Sequence, residues 1–353
     1  MQAKNIIPPE VIAGQTAPEP QKQENRPLLI DAGNPAFWGA GGMLHNEFLT
    51  ADKRREVPLK VTDGKEIRSL QLPAGITLIT SMTGGGKTFF LTELAARELH
   101  AGREVIFFTA EEMAATLAGY IAAKVHSLKT GEDTGVYKII STTDPDGEKI
   151  GGLLKGLYFF NGIEEGITAG KIREAYQAHK AKEEKPLLLV DYVQLMSPEG
   201  EGRFSANWER AKQTAAELKG LRGDGFSIVL GAQLNREGLK AKTSGQAFHT
   251  VVPENLREAA DLEQAADLIL LAWIPRQGKN PVFFLRTLKG RRGINVGVSC
   301  GYVIKPYSRA LAEIQPEYIP DDETTFEMFA GIAKKTVSRN RKAQQEPEKG
   351  DFI

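Results

Sequence analysis

The stretch GITLITSMTGGGKTFFL, residues 75–91, reads as a short apolar strand, a glycine-rich turn and the start of a helix. Three consecutive glycines, Gly84, Gly85 and Gly86, let a backbone approach an anion without a Cβ clash. The amides that follow them open a helix, whose N-terminal partial positive charge favours phosphate. Gly86-Lys87-Thr88 stands where a phosphate loop ends, so Lys87 is expected to reach the β- and γ-phosphates of ATP and Thr88 to hold Mg²⁺. Ser81 occupies the position at which such a loop usually opens with glycine. The plainer alternative is a glycine-rich turn before an ordinary helix. The strand and helix on either side, both placed where a phosphate loop needs them, weigh against it.

Outward from this point the chain alternates short apolar runs with longer periodic ones, from about Ile76 to Ile314. That rhythm belongs to strand–helix units around a mostly parallel sheet flanked by helices, an α/β fold. Strands are expected at Ile76–Thr80, Val105–Phe108, Leu157–Phe160, Leu187–Val190, Ser227–Leu230, Leu268–Ala272 and Val282–Leu288. Their apolar, often β-branched composition suits strands covered on both faces. TFFLTELAARELHAG, KIREAYQAHKAKEE and NWERAKQTAAELKGLRG read as helices, with Gly102 and Gly220 as stops.

The whole composition narrows the function classes. Of 353 residues 41% are apolar and 25% charged, which fits a globular chain and excludes whole-chain disorder. Lys+Arg and Asp+Glu number 45 each, so nucleic-acid binding has to be argued from local cations. One cysteine and five scattered histidines offer neither a disulfide framework nor zinc-ligand spacing, and a reducing cytoplasm is the expected compartment. Neither a signal peptide nor a run of about 18 apolar residues occurs, so no membrane partner is expected. Residues 1–26, rich in Pro, Gln and Glu, read as a disordered tail, 27–330 as one globular α/β domain, and 331–353 as a flexible basic tail.

Two further elements support a nucleotide site. Leu187 to Asp191 is an apolar strand ending in a carboxylate, where an acid would orient water on Mg²⁺. Strands ending in Asp are also common as turns, and it is the phosphate loop upstream that favours the metal role. FFTAEEM sets Glu111 and Glu112 just after the strand Val105–Phe108, at the edge where parallel sheets place their ligands. One of them, Glu111 by preference, is expected to polarise the attacking water. The alternative is a helix-start pair with Thr109 as its cap.

With these elements in order, VDYVQLM, GAQLNREG and NLREAADLEQAADLILL resemble the C-terminal motor domain of DnaB-type replicative DNA helicases, a RecA-like P-loop NTPase fold. The resemblance runs over about residues 76–305. It implies ATP hydrolysis at the subunit interfaces of a ring hexamer that encircles one DNA strand and moves 5′ to 3′. Carried over by position, Gln233 matches the residue that senses the γ-phosphate, and Glu111 and Glu112 the region of the catalytic glutamate. Lys289-Gly290-Arg291 resembles the Lys-x-Arg that a neighbouring subunit inserts into the site, where cations stabilise charge on the transferred phosphoryl group. A basic hairpin turn facing solvent is the alternative for LKGRRG. Contacts to single-stranded DNA are expected from Arg203, Arg210 and Lys212 in the loop region after Asp191, and from Arg236, Lys240 and Lys242 after Gln233.

About 75 residues precede the phosphate-loop strand, too few for the helical N-terminal domain that full-length DnaB proteins use for loader and primase contacts. A motor-only helicase of a phage, plasmid or other mobile element is therefore the expected setting, with a loader or initiator protein as a candidate partner. Within the same fold, a RadA- or KaiC-like ATPase is an alternative. A non-translocating ATP-dependent DNA scaffold or loader is another.

Overall fold

The computed structural model describes residues 54–62, 64–143, 148–179, 185–199, 207–221, 225–234, 251–253, 260–274, 282–291, 293, 297–312 and 317–318. The expected tails at 1–26 and 331–353, and both domain boundaries, lie outside the described residues.

Among the described residues the central sheet has nine strands. In chain order these are β3 (Gly75–Ser81), β4 (Val105–Thr109), β5 (Leu157–Asn161), β6 (Leu187–Asp191), β7 (Ser227–Gln233), β8 (Leu268–Trp273), β9 (Val282–Gly290), β10 (Ser299–Val303) and β11 (Glu317–Tyr318). They lie in the order β11-β10-β9-β8-β3-β7-β6-β4-β5. The six from β8 to β5 run parallel, while β9, β10 and β11 add an antiparallel flank. The apolar strands expected from the sequence are all present, each extended by one to three residues.

Alternation along β3 shows why the strands are apolar throughout. Ile76 and Leu78 enter one core with Ile172, Tyr176, Ala215 and Leu218. Ile79 faces the other way, among Phe90, Leu91, Leu94 and Ile121. Successive side chains point to opposite faces, and here both faces are covered. The covering helices on the second face are α1 (Lys87–His100) and α2 (Ala114–Thr130); on the first they include α6 (Ala169–His179) and α7 (Asn207–Gly220). Short helices α3 (Val136–Thr143), α4 (Glu148–Leu153) and α5 (Gly162–Glu165) lie between β4 and α6 in sequence, and α8 (Ala260–Ala265) precedes β8. Among the described residues no helix is long and apolar enough to cross a membrane.

A hairpin of β1 (Arg55–Thr62) and β2 (Ile67–Leu72) closes the second core. Val57, Leu59 and Val61 alternate with Glu56, Pro58 and Lys60, and the apolar set is buried. The register shifts between Val57 and Lys60, around Pro58, which has no N–H to give to a ladder.

Because α1 is buried on nearly every side, its charges must be paired internally. Glu93, fully buried, accepts from Lys124 Nζ at 2.9 Å, from Arg97 Nε at 2.9 Å and from the Leu311 amide at 3.2 Å. Burial alone would raise its carboxyl pKa, but the attraction of Lys124 and Arg97 outweighs that and holds it below the ordinary value. Gly102 takes φ +78° just past the helix, as a stop should. Gly220 is the last residue of α7.

The single cysteine, Cys300, is buried in β10. Burial pushes its thiol up to about 11, which makes it unreactive.

Candidate nucleotide site

Parallel strands place their carboxyl ends along one edge of the sheet, and ligands bind in the crevice outside that edge. Here Ser81 pairs with Gln233 and Thr109 with Asp191, so the ends of β3, β7, β6 and β4 lie side by side. Above them is a cleft of about 330 Å³ lined by residues that include Thr83, Gly84, Gly86, Lys87, Thr88, Glu111, Glu112, Tyr192 and Gln233. That volume is within the range of small-ligand pockets.

The loop from Met82 to Lys87 is built by backbone. The Gly85 amide donates to the Met82 carbonyl at 2.8 Å, and the Ile274 amide donates to the Gly85 carbonyl at 2.9 Å. A Cβ on Gly85 would stand 2.9 Å from that Met82 oxygen. Gly86 has φ +110°, and a Cβ there would stand 3.0 Å from Ile274 Cγ1, so both positions need glycine. Gly86 is also the N-cap of α1, with no side-chain cap and no acid in the first turn. The amides at this helix start therefore keep their affinity for an anion. Ser81, in place of an opening glycine, is buried as the last residue of β3, and its hydroxyl donates to the Met82 carbonyl at 2.9 Å.

At the base of the cleft the Thr88 hydroxyl donates to Asp191 Oδ2 at 2.6 Å. Asp191 is fully buried, and its Oδ1 has no hydrogen-bond partner among the described residues. Burial raises its carboxyl pKa, and Glu111 and Glu112 push the same way, against the Thr88 hydrogen bond and the attraction of Lys87. A buried carboxylate oxygen without a partner, beside a threonine hydroxyl, fits a bound cation. Gly231 makes the room: a Cβ there would stand 3.2 Å from Asp191 Oδ1. The peptide bond Asp191–Tyr192 is cis. Lys87 Nζ lies 5.1 Å from the centroid of the Tyr192 ring. Lys87 and Asp191 are both buried, Lys87 as a residue of the cleft wall.

Glu111 and Glu112 are exposed and line the cleft. They do not begin a helix: α2 starts at Ala114 with Met113 as N-cap, and the Thr109 hydroxyl donates to the Glu112 carbonyl at 2.5 Å instead of capping. The alternative reading of this pair as a capped helix start does not hold. Gln233 donates from Nε2 to Thr83 Oγ1 at 2.6 Å, which joins the end of β7 to the phosphate loop. Gln194, which lies in VDYVQLM but is given no role by the sequence reading, exchanges hydrogen bonds of 3.3 and 3.4 Å with the Gln233 backbone. Arg309 also lines the cleft, its guanidinium 5.9 Å from the Phe89 ring, and is unmarked in the sequence. It arrives through tertiary contacts: the Tyr307 and Ser308 amides donate to Asp133, and Lys124 Nζ donates to the Arg309 carbonyl.

Lys289 and Arg291 are not in this cleft. Lys289 pairs with Ile269 on β8, level with Leu78 of β3, and the Arg291 amide bonds Asp267 beside Ile76. Arg291 thus lies five residues down β3 from Ser81, roughly 17 Å at about 3.3 Å per residue. Neither cation can serve the phosphate loop of its own chain. Arg210, half-buried on α7, donates to the Met196 carbonyl at 3.4 Å, and Lys212 is exposed. Arg203, Arg236, Lys240 and Lys242 lie outside the described residues. Among the described residues no group of three or more His, Cys, Asp or Glu side chains could hold a metal by itself.

The model of the DnaB-like helicase C-terminal domain matches residues 68–282, more than half of the chain. Solved structures similar in fold include the following two. One is a DnaB-like replicative helicase, described together with its interactions with primase, with a TM-score of 0.54 and 18% identity. That match covers 67% of this chain and 58% of the helicase, so this chain spans little more than half of that protein's length. The other is an ATPase domain, with a TM-score of 0.56 and 17% identity over 80% of this chain and 100% of that domain. No curated protein matches by sequence.

Proposed function

From a chain that belongs to the DnaB-like helicase C-terminal domain family, we infer an ATP-dependent DNA helicase motor that hydrolyses ATP at subunit contacts of a ring and translocates 5′ to 3′ on single-stranded DNA. The observation that carries the nucleotide half of this reading is the Thr88–Asp191 hydrogen bond beneath the Gly84–Lys87 turn, with Asp191 Oδ1 left open.

In this reading the amides at the start of α1 bind the β- and γ-phosphates, and Lys87 neutralises them from the loop. Thr88 and Asp191 would hold Mg²⁺, which would supply positive charge against the phosphates. Glu111 or Glu112, exposed at the mouth of the cleft, orients and deprotonates the attacking water. Gln233, tied to Thr83, stands to report loss of the γ-phosphate to the strand end from which the Arg236, Lys240 and Lys242 region departs. Lys289 and Arg291, out of reach of their own loop, act in the site of a neighbouring copy, and a ring, expected to be a hexamer, supplies that neighbour. Primase contact, as described for the similar replicative helicase, and a loader or initiator contact are further expectations.

The test is ATP turnover with and without single-stranded DNA at several salt concentrations. Stimulation by DNA is expected. The log of DNA affinity should fall with log salt at a slope of about −0.7 for each phosphate neutralised. Turnover indifferent to DNA would move the assignment to an ATPase of the same fold with another task.

A further inference from the structure

Lys289 and Arg291 are held by one short segment. Lys289 Nζ donates to the Glu263 carbonyl at 2.6 Å, with Glu263 Oε1 3.8 Å away. Arg291 Nη2 donates to the Gln264 carbonyl at 2.8 Å, and the Arg291 amide to the Asp267 carbonyl at 2.9 Å. Glu263 and Gln264 lie in the last turn of α8, whose carbonyl end attracts cations. Asp267 then fastens this arrangement to the sheet. Its amide donates to the Ile76 carbonyl at 2.8 Å, and its Oδ2 accepts from the Ile76 amide at 3.1 Å. A Cβ on Gly75 would stand 2.4 Å from that same Oδ2, so glycine at 75 is what admits the carboxylate.

We propose that Asp267 is a positioning residue for hydrolysis in the adjacent subunit: its carboxylate, bonded to the Ile76 amide, fastens to β3 the segment whose carbonyls hold Arg291 and Lys289 in the stance from which they enter the neighbour's cleft. The proposal rests on the reading of Lys289 and Arg291 as groups that act across the subunit contact. It gives the Glu263–Asp267 segment a task that the nucleotide cleft does not require. Asp267 sits at the opposite end of β3 from the phosphate loop, so its loss leaves the chain's own nucleotide contacts in place.

Mixing variants tests this. A Lys87→Ala subunit has a dead site and an intact Lys-x-Arg; an Asp267→Ala subunit has an intact site and a displaced one. Asp267→Ala alone should bind nucleotide as the wild type does and turn over on the order of a hundredfold more slowly, the cost of misplacing a catalytic group by about 1 Å. Asp267→Asn, whose amide oxygen can still accept from Ile76, should keep most of the activity. Mixed with inactive Lys87→Ala subunits, Asp267→Ala should recover turnover to the level reached by an Arg291→Ala and Lys87→Ala mixture. If Arg291→Ala recovers and Asp267→Ala does not, this proposal is overturned while the cross-subunit reading stands. If neither recovers, the cross-subunit reading is wrong and the proposal falls with it. Gly75→Ala, whose Cβ would meet Asp267 Oδ2 at 2.4 Å and so displaces the same carboxylate, carries the same test should Asp267→Ala not fold. Its loss should recover in the same mixture, and an unchanged turnover or a loss without recovery would overturn the proposal.

Discussion

Gly231→Ala perturbs the site without touching a phosphate-loop residue. A Cβ at 231 would stand 3.2 Å from Asp191 Oδ1, 3.3 Å from Tyr192 Cβ and 3.5 Å from Leu91 Cδ1. The first two distances are shorter than ordinary contacts, and β7 and β6 are paired on both sides, so the side chain that must yield is Asp191. A shift of a few tenths of an ångström stretches its 2.6 Å bond to Thr88 and fills space beside Oδ1. Overpacking of this kind costs about 1–2 kcal/mol of stability, which a domain of this size withstands. The functional cost is larger in proportion. With misplacement by about 1 Å worth on the order of a hundredfold, a third of that distance implies roughly a fivefold to tenfold loss of turnover. The assay is steady-state ATP hydrolysis as a function of Mg²⁺, beside nucleotide binding measured in chelator. Gly231→Ala should need more Mg²⁺ for half-maximal rate and bind nucleotide normally in chelator. An unchanged Mg²⁺ requirement and turnover would refute the claim that Asp191 Oδ1 is a metal-facing oxygen whose room Gly231 provides.

Asp191→Asn should abolish hydrolysis yet raise thermal stability near neutral pH. Its folded carboxyl pKa is raised by burial, so the buried charge weakens the native state at pH above that value. The gain over wild type should be fully present there and disappear as pH falls below the ordinary carboxylate value; equal melting temperatures at neutral pH would contradict it. Lys124→Ala should lower stability by about 3 kcal/mol in denaturant titration, the low end for breaking a buried pair, because Arg97 still faces Glu93. A cost under about 1 kcal/mol would show the pair to be idle. Lys87→Ala should end turnover while leaving a cooperative unfolding transition, and persistent hydrolysis would remove the nucleotide-site assignment.

Where the sequence is readable, local chemistry and final geometry agree. The β3 strand, three glycines and Lys87-Thr88 carry their own structure, since an apolar run, a turn without Cβ atoms and a helix start leave few alternatives. The parallel strands are equally plain, being apolar on both faces. The hairpin before β3 is hard to see because Pro58 interrupts an alternating pattern that a register shift absorbs. β10, SCGYV, hides behind a serine and a glycine, and its burial depends on pairing with β9. In the site, Lys87, Thr88 and Asp191 can be named from spacing. Gln194 and Arg309 cannot, because the first is placed by the backbone of Gln233 and the second by Asp133 and Lys124, both more than 170 residues away. The pair Gly75 and Asp267 is a similar case: two residues far apart in sequence whose identities make sense only together.

Forked DNA puts the central claim to its most direct test. Strand separation should be measured on two forks that differ only in whether the single-stranded tail available for loading is 5′ or 3′, with ATP, without ATP, and with the Lys87→Ala protein. ATP-dependent separation of the 5′-tailed fork alone, absent with Lys87→Ala, is the predicted result. Salt-sensitive binding to both forks with separation of neither would contradict the motor and leave an ATP-dependent DNA scaffold in its place.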